Sequence, residues 1–261
     1  MNRAKKSAGF MRILAVIPVR WSSTRFPGKP LANIAGKPMV QWVYERARAA
    51  SRVDEVIVAT DDERILQAAT NFGARAEMTS PNAASGTDRV AEVAARHAEF
   101  EIVLNVQGDE PLILPQVLDA VAEPLIDDPT LPIATAIARL AQMDDLQNPN
   151  VVKVVRNREQ NALYFSRAAI PFYRSRMDFR EDSKMPVPYR HLGIYGYQRE
   201  ALRKLAHLEP SPLEQAEQLE QLRFLEAGFT IRCVEVAAFG SGVDCPEDIP
   251  RVEALLKQGM T

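Results

Sequence analysis

Cysteine is scarce: Cys233 and Cys245 are the only two in 261 residues. Two thiols cannot build a disulfide framework, and a reduced, cytoplasmic setting is the simplest one for them. The chain has three histidines, so chemistry built on several histidine acid–base groups is not expected. An excess of one charge is missing as well. Lys and Arg total 32 against 34 Asp and Glu, a net charge of −2. That balance excludes a global attraction for DNA, RNA or an anionic membrane, and any anion-binding charge must be local. No apolar run approaches the ~20 residues of a spanning helix, so membrane insertion is not expected. The start, Met1-Asn2-Arg3-Ala4-Lys5-Lys6, is basic but has no apolar core of the kind a signal peptide carries.

What is there is ordinary globular material, 46% hydrophobic and 25% charged, which rules out disorder for most of the chain. Residues 1–10 read as a loose tail, with Met11 an alternative start. Residues 11–261 read as a single domain, with no convincing linker. The apolar run Ile13 to Val19 predicts a buried strand. Further strands are expected at Val53 to Ala59, Ile102 to Val106, Ile133 to Leu140, Val151 to Val155, Leu192 to Tyr197 and Phe229 to Val236. Helices are expected at Pro38 to Ala50, Asp61 to Phe72 (closed by Gly73), Thr87 to His97, and at the end near Lys257. Ser211-Pro212-Leu213-Glu214 carries a cap, a first-turn proline and a capping-box glutamate; the helix it starts is expected to run to Ala227 and stop at Gly228. Strands alternating with helices predict a mostly parallel sheet wrapped on both faces. Pro171 to Pro188 has no clean period and is expected to be a flap or interface segment.

Arg20 to Pro30 follows the first strand, where open α/β sheets bind ligands. It holds Arg20, Arg25 and Lys29 beside the hydroxyls of Ser22, Ser23 and Thr24. Backbone amides near Ser23 and Thr24 suit phosphate oxygens, the arginines grip phosphate as planar forks, and Lys29 acts as a point charge. Gly28-Lys29 is followed by Pro30, so this is not a Walker A loop, and no G-x-G-x-x-G is present. Asp109, in Gln107-Gly108-Asp109, and Asp244, in Gly240-Ser241-Gly242-Val243-Asp244, both follow strands, which would place them at one sheet edge. The plainer alternatives are a turn residue for Asp109 and a helix cap for Asp244.

The blocks Ile17-Pro18-Val19-Arg20, Ser23-Thr24-Arg25, Pro27-Gly28-Lys29-Pro30, Ser85-Gly86-Thr87-Asp88-Arg89, Asn105-Val106-Gln107-Gly108-Asp109-Glu110-Pro111, Tyr164-Phe165-Ser166-Arg167, Arg190-His191-Leu192-Gly193-Ile194-Tyr195 and Leu219-Glu220-Gln221-Leu222-Arg223 resemble the sugar-acid cytidylyltransferases in order and along nearly the whole chain after the tail. The resemblance implies a three-layer α/β/α sandwich with a mostly parallel mixed sheet, like that of nucleotide-diphospho-sugar transferases. It implies CTP and an eight-carbon sugar acid, Kdo, as substrates, a homodimer with an irregular dimerisation or flap region around 165–200, and a cytoplasmic role in lipopolysaccharide synthesis. Arg20, Lys29 and Asp109 take catalytic roles. Arg20, Ser23, Thr24, Arg25, Lys29, Thr79, Ser85, Gly86, Thr87 and Gln107 hold the nucleotide. Gln107, Arg167, His191, Tyr195, Glu220 and Gln221 hold the sugar. Asp109 and Asp244 bind Mg²⁺, a hard ion suited to carboxylate and phosphate oxygens. Two departures stand out: Asn82-Ala83 where relatives often have Asp-His, and Cys245 where many have Thr. Rival readings are a cytidylyltransferase for neuraminate or for 8-amino-Kdo, a non-catalytic nucleotide-binding protein, and a glycosyltransferase, although the Asp-x-Asp motif of the last is absent here.

Overall fold

The computed structural model describes residues 11–22, 26–174, 187–237 and 242–258. The tail 1–10, the loop residues Ser23, Thr24 and Arg25, and most of the segment from Pro171 to Pro188 lie outside the described residues. Along the chain the elements are β1 (Ile13–Val19), a short hairpin of β2 (Asn33–Ile34) and β3 (Lys37–Pro38), α1 (Met39–Ala49), β4 (Glu55–Thr60), α2 (Glu63–Asn71), β5 (Arg75–Met78), α3 (Gly86–Arg96) and β6 (Ile102–Asn105). They continue with α4 (Pro115–Asp127), β7 (Ile133–Arg139), α5 (Met143–Gln147), β8 (Lys153–Arg156), β9 (Ala162–Ser166), β10 (Tyr189–Gln198), α6 (Arg199–Leu205), α7 (Pro212–Glu217), α8 (Gln221–Glu226), β11 (Ile231–Glu235) and α9 (Ile249–Lys257).

Among the described residues the main sheet runs in the order β11-β7-β10-β6-β1-β4-β5, with β8 and β9 branching from β10. β1 pairs in parallel with β4 and β6, and β11 with β7. Only β10 along this path runs the other way, between β6 and β7. β1 shows why the sheet is wrapped twice. Its odd-numbered side chains Ile13, Ala15 and Ile17 join one core with Val40 and Val43 of α1, Ile65 of α2 and Val117, Leu118 and Val121 of α4. Its even-numbered Leu14 and Val16 join a second core with Val90 and Val93 of α3, Leu202 and Leu205 of α6 and Leu222 of α8. The period-two alternation of a strand sends neighbours to opposite faces, and both faces are apolar because both are covered.

The expected strand and helix positions are met closely in the first half. The structure adds the β2–β3 hairpin, β5, β9, α4, α5 and α6, which the sequence pattern does not reveal. It also corrects the helix expected from Ser211 to Ala227. Ser211 does cap α7 through a reciprocal box with Glu214, but the helix stops at Glu217. Gln218 turns into the left-handed region, with φ of 54°, and α8 starts afresh at Gln221. The cause is tertiary: the Arg167 guanidinium takes the carbonyls of Glu217 and Gln218, at 2.8 and 3.3 Å, which a continuous helix would use internally. Part of the region around 165–200 is regular as well, since β10 occupies Tyr189–Gln198.

Candidate active site

The C-terminal ends of β1 and β6 open on one cleft of about 330 Å³, lined by Arg20, Lys29, Ser85, Gly86, Arg89, Gln107, Asp109 and Asp244, among others. Its first wall is the loop after β1. Trp21 anchors that loop: the Arg64 guanidinium stacks on the indole, 3.4 Å from the ring centroid, and Arg64 is itself forked onto Asp62. Gly28 closes the loop with its N–H on the Trp21 carbonyl, at 3.1 Å. Its φ is 71°, and a Cβ there would stand 3.0 Å from the indole, so glycine is the residue that fits. The next residue, Lys29, is thereby aimed into the cleft.

The opposite wall carries the carboxylates. Lys29 Nζ lies 2.7 Å from Asp109 Oδ2 and 3.7 Å from Asp244 Oδ1. Two acids 135 residues apart in the chain therefore share one cation, as their position after strands suggests. Two backbone features bring them there. Gly108 lies so close to β1 that a Cβ would sit 2.2 Å from Val19 Cγ1. The N–H of Val243 donates to the Asp109 carbonyl at 2.9 Å, which pins the segment carrying Asp244 to the Asp109 loop. Asp244 is not the cap of a helix. Asp248 closes a capping box from the third position of the short turn Pro246–Asp248, its carboxylate accepting the N–H groups of Asp244 and Cys245 at 2.8 and 3.1 Å; those bonds hold its pKa far below the usual carboxylate range. Cys245 stands at the cap position itself.

Glu110, beside Asp109, is a third acid that the sequence reading passes over. Burial and the neighbouring charge of Asp109 push its pKa up to about 8; Arg190 and Lys29 pull the other way. Among the described residues no three acidic, histidine or cysteine groups converge as a complete metal-holding set. The pair Asp109 and Asp244 is the oxygen donor set nearest the cleft cation. Arg89 is also missing from the sequence reading. It is buried, holds Asp61 at 2.8 Å, donates to the Thr79 hydroxyl, and lines the cleft. A buried arginine inside a helix pattern is signalled only by its place in Ser85-Gly86-Thr87-Asp88-Arg89.

The nucleotide candidates divide. Arg20 is exposed at the cleft. Ser85 caps α3 through a box with Asp88, so its hydroxyl is engaged, while the α3 N-terminus it caps, with Gly86, faces the cleft. Thr79 is buried under Arg89. Ser23, Thr24 and Arg25 lie outside the described residues.

The sugar candidates gather deeper. Thr87 Oγ1 donates to Glu220 Oε2 at 2.5 Å, joining α3 to the start of α8. Gln107 Nε2 donates to the Gly193 carbonyl at 3.2 Å. The His191 ring packs against Phe165, centroids 5.0 Å apart, and Tyr195, 5.2 Å, so the two residues four apart do share a face. This survives an irregularity in β10 at Gly193, because Tyr195 and His191 pair with Thr135 and Ile137, keeping the parity even. Burial drives the His191 pKa down to about 3; the ring is neutral and contacts the Thr135 hydroxyl at 3.0 Å. The hydroxyls of Tyr195 and Tyr197 are fully buried beside the polar side chains of Thr135 and of Thr87 and Asn105, and Nε2 of Gln221 is buried without a hydrogen-bond partner, which is costly unless a ligand completes it. Arg167 stands apart from this group. Its guanidinium is committed to the carbonyls of Glu217, Pro149 and Gln218. A larger cavity, about 470 Å³, lies between α3 and α6 and contains none of the expected site residues.

Strand ends that gather a cationic loop, paired carboxylates and a capped helix N-terminus are the frame expected of a nucleotidyltransferase. The family model described as Cytidylyltransferase matches residues 14–232, and the chain belongs to that family. More narrowly, it is similar to the 3-deoxy-manno-octulosonate cytidylyltransferases of Geobacter metallireducens, 51% identical over 246 residues that cover 93% of this chain and 96% of that one, and Geobacter sulfurreducens, 51% identical over 251 residues covering 95% and 100%. The solved structure of CMP:2-keto-3-deoxy-manno-octonic acid synthetase complexed with CTP matches with a TM-score of 0.88 at 46% identity, covering 95% of this chain and 99% of that one.

Proposed function

We propose that this chain transfers CMP from CTP to the anomeric hydroxyl of 3-deoxy-manno-octulosonate (Kdo), giving CMP-Kdo and pyrophosphate. The sugar oxygen bonds to the α-phosphorus, the bond to the β-phosphate oxygen breaks, and the hydroxyl proton leaves to solvent or phosphate. The observation that carries the reading is the meeting of Lys29, Asp109 and Asp244 at one cleft mouth, with the unpartnered amide of Gln221 deeper in.

Positioning and charge neutralisation do most of the work in phosphoryl-type transfer. Lys29 exchanges its carboxylate partners for triphosphate oxygens, and with Arg20 it stabilises the departing pyrophosphate. Asp109 and Asp244, two hard oxygen donors already sharing a cation, fit Mg²⁺, an ion that takes one or two carboxylates together with substrate phosphates. When bound, Mg²⁺ neutralises phosphate charge and lowers the pKa of a coordinated hydroxyl. Gly86 and Thr87 offer the nucleotide the first turn of α3. Gln107, His191, Tyr195, Glu220 and Gln221 form the polar surface for the sugar hydroxyls and carboxylate. Ser23, Thr24 and Arg25 are assigned to the phosphates by the family resemblance alone. A homodimer in the cytoplasm, supplying CMP-Kdo to lipopolysaccharide synthesis, belongs to the same reading and rests on the family resemblance.

The test is pyrophosphate release from CTP with Kdo, 8-amino-Kdo or neuraminate, with and without Mg²⁺. Release with Kdo that depends on Mg²⁺ is expected. Turnover of neuraminate in preference, or none with any sugar acid, overturns the assignment.

A further inference from the structure

Lys153 is the most deeply buried cation among the described residues, at 0% exposure. It sits on β8, registered against Arg190 of β10 on one side and Ser166 of β9 on the other. Its ammonium donates to the carbonyls of Asn148, Val151 and Arg167 at 2.8, 2.6 and 2.5 Å, which uses every proton it has. Burial lowers its pKa, and the nearby Glu217 carboxylate opposes that.

Each of these contacts leads onward. Arg167, held by its carbonyl, donates through its backbone N–H to Glu217 Oε2 at 2.9 Å and through Nε to the Glu217 carbonyl at 2.8 Å. Ser166 Oγ donates to the other Glu217 oxygen at 2.6 Å. The same guanidinium reaches Pro149 and Gln218. The Asn148–Val151 turn, the end of β9 and the left-handed break at Gln218 are thus tied into one polar knot with Lys153 at its centre. Glu220, joined to Thr87, and Gln221, with its unpartnered amide, follow that break within three residues.

We infer that Lys153 is a positioning residue for the sugar half of the site: acting through Arg167 and Glu217, it fixes where the α7–α8 break presents Glu220 and Gln221. This rests on the proposed reaction. Lys153 itself touches no substrate. An uninterrupted helix would carry Gln221 to a different azimuth, since each residue turns about 100°. The break therefore matters to the site and not only to packing.

The experiment is steady-state pyrophosphate release by the full chain with Lys153→Met and Glu217→Gln. Lys153→Met takes the ammonium donor from the carbonyls of Val151 and Arg167 and one of two donors from that of Asn148, which keeps the Val151 N–H. It is expected to raise KM for Kdo about tenfold or more while KM for CTP stays within about twofold, and Lys153→Arg is expected to recover part of the loss. Glu217→Gln loosens the same knot from its outer side and is expected to shift KM for Kdo in the same direction by less. Amide hydrogen exchange should accelerate over residues 217–222 in both variants and stay unchanged in β1 and β6. If Lys153→Met is too unstable to assay, Glu217→Gln decides. Folded variants with KM for Kdo unmoved, or with KM for both substrates raised equally, overturn the inference. A wild-type protein that does not turn over Kdo overturns the proposed reaction instead, and the exchange data then still show whether the knot holds the break.

Discussion

At the scale of the residue, the site is governed by which charges are compensated. Asp109 faces Lys29 at hydrogen-bond distance, and removing its charge while keeping its shape separates electrostatics from packing. Asp109→Asn is expected to fold with near wild-type stability and to lose turnover by about 10²-fold or more, the size expected when charge stabilisation at a reacting phosphate is removed. Circular dichroism together with pyrophosphate release checks both halves, and normal Mg²⁺-dependent turnover would refute the role. His191 gives a second prediction through its pKa of about 3. The folded ring is neutral, whereas the unfolded chain takes up a proton below its ordinary value of about 6.5. Below that pH the unfolded state holds more protons, so stability is complete above about pH 6.5 and declines as pH falls towards 3, by up to about 1.4 kcal/mol per pH unit for one group. Urea titrations at pH 7.5, 6 and 5 should show His191→Gln losing less stability than the wild type as pH falls. Parallel losses in the two proteins would mean that another group sets the acid limit.

At the scale of the element, the decisive feature is how closely the β6 loop passes β1. Gly108 has room for a hydrogen and nothing more. Gly108→Ala must push the Asp109 loop away from Val19, and overpacking of this kind costs about 1–3 kcal/mol. Because the Asp109 carbonyl also holds Val243, both carboxylates should move together. The expected result is a clear fall in the melting temperature with turnover reduced more than stability alone explains, and an unchanged specific activity would show that the loop adapts. The same closeness explains what was legible in the sequence. β1, α1, α2 and α3 announce themselves through period and caps, and the motif blocks place Lys29, Asp109 and Asp244 near one another. Helix α4 does not, because Leu114 gives its start no side-chain cap and Pro124 interrupts its pattern. The α7–α8 break does not either: its cause, the Arg167 guanidinium, lies some 50 residues away in sequence. The same long-range bonds keep Arg167 from the sugar group that its motif suggests, and Glu110 and Arg89 acquire their positions only from burial that the fold creates.

At the scale of the whole molecule, the cleft joins parts that are far apart in the chain. The loop after β1 supplies Lys29, the end of β6 supplies Asp109, and the segment before α9 supplies Asp244, while a small separate core of Ile34, Met39, Leu112, Val243 and Val252 packs beneath them. A divalent cation held by Asp109 and Asp244 together with a triphosphate would bind only the folded arrangement, and a ligand that binds only the native state adds RT ln(1 + [L]/Kd) to stability, about 2.7 kcal/mol at a hundredfold excess over Kd. CTP with Mg²⁺ should therefore raise the melting temperature by several degrees, and CTP with EDTA by much less, because the carboxylates then repel the phosphates they would otherwise share an ion with. Asp244 is 70% exposed at its side chain, so Asp244→Ala should leave the ligand-free melting temperature within about 1 °C, as exposed positions usually do. In that variant the Mg²⁺-dependent increment should disappear while the smaller Mg²⁺-independent one remains. Differential scanning fluorimetry over a Mg²⁺ titration at fixed CTP reads all three quantities. An increment that survives Asp244→Ala at its full size would place the ion elsewhere on the triphosphate and leave Asp244 as a partner of Lys29 alone.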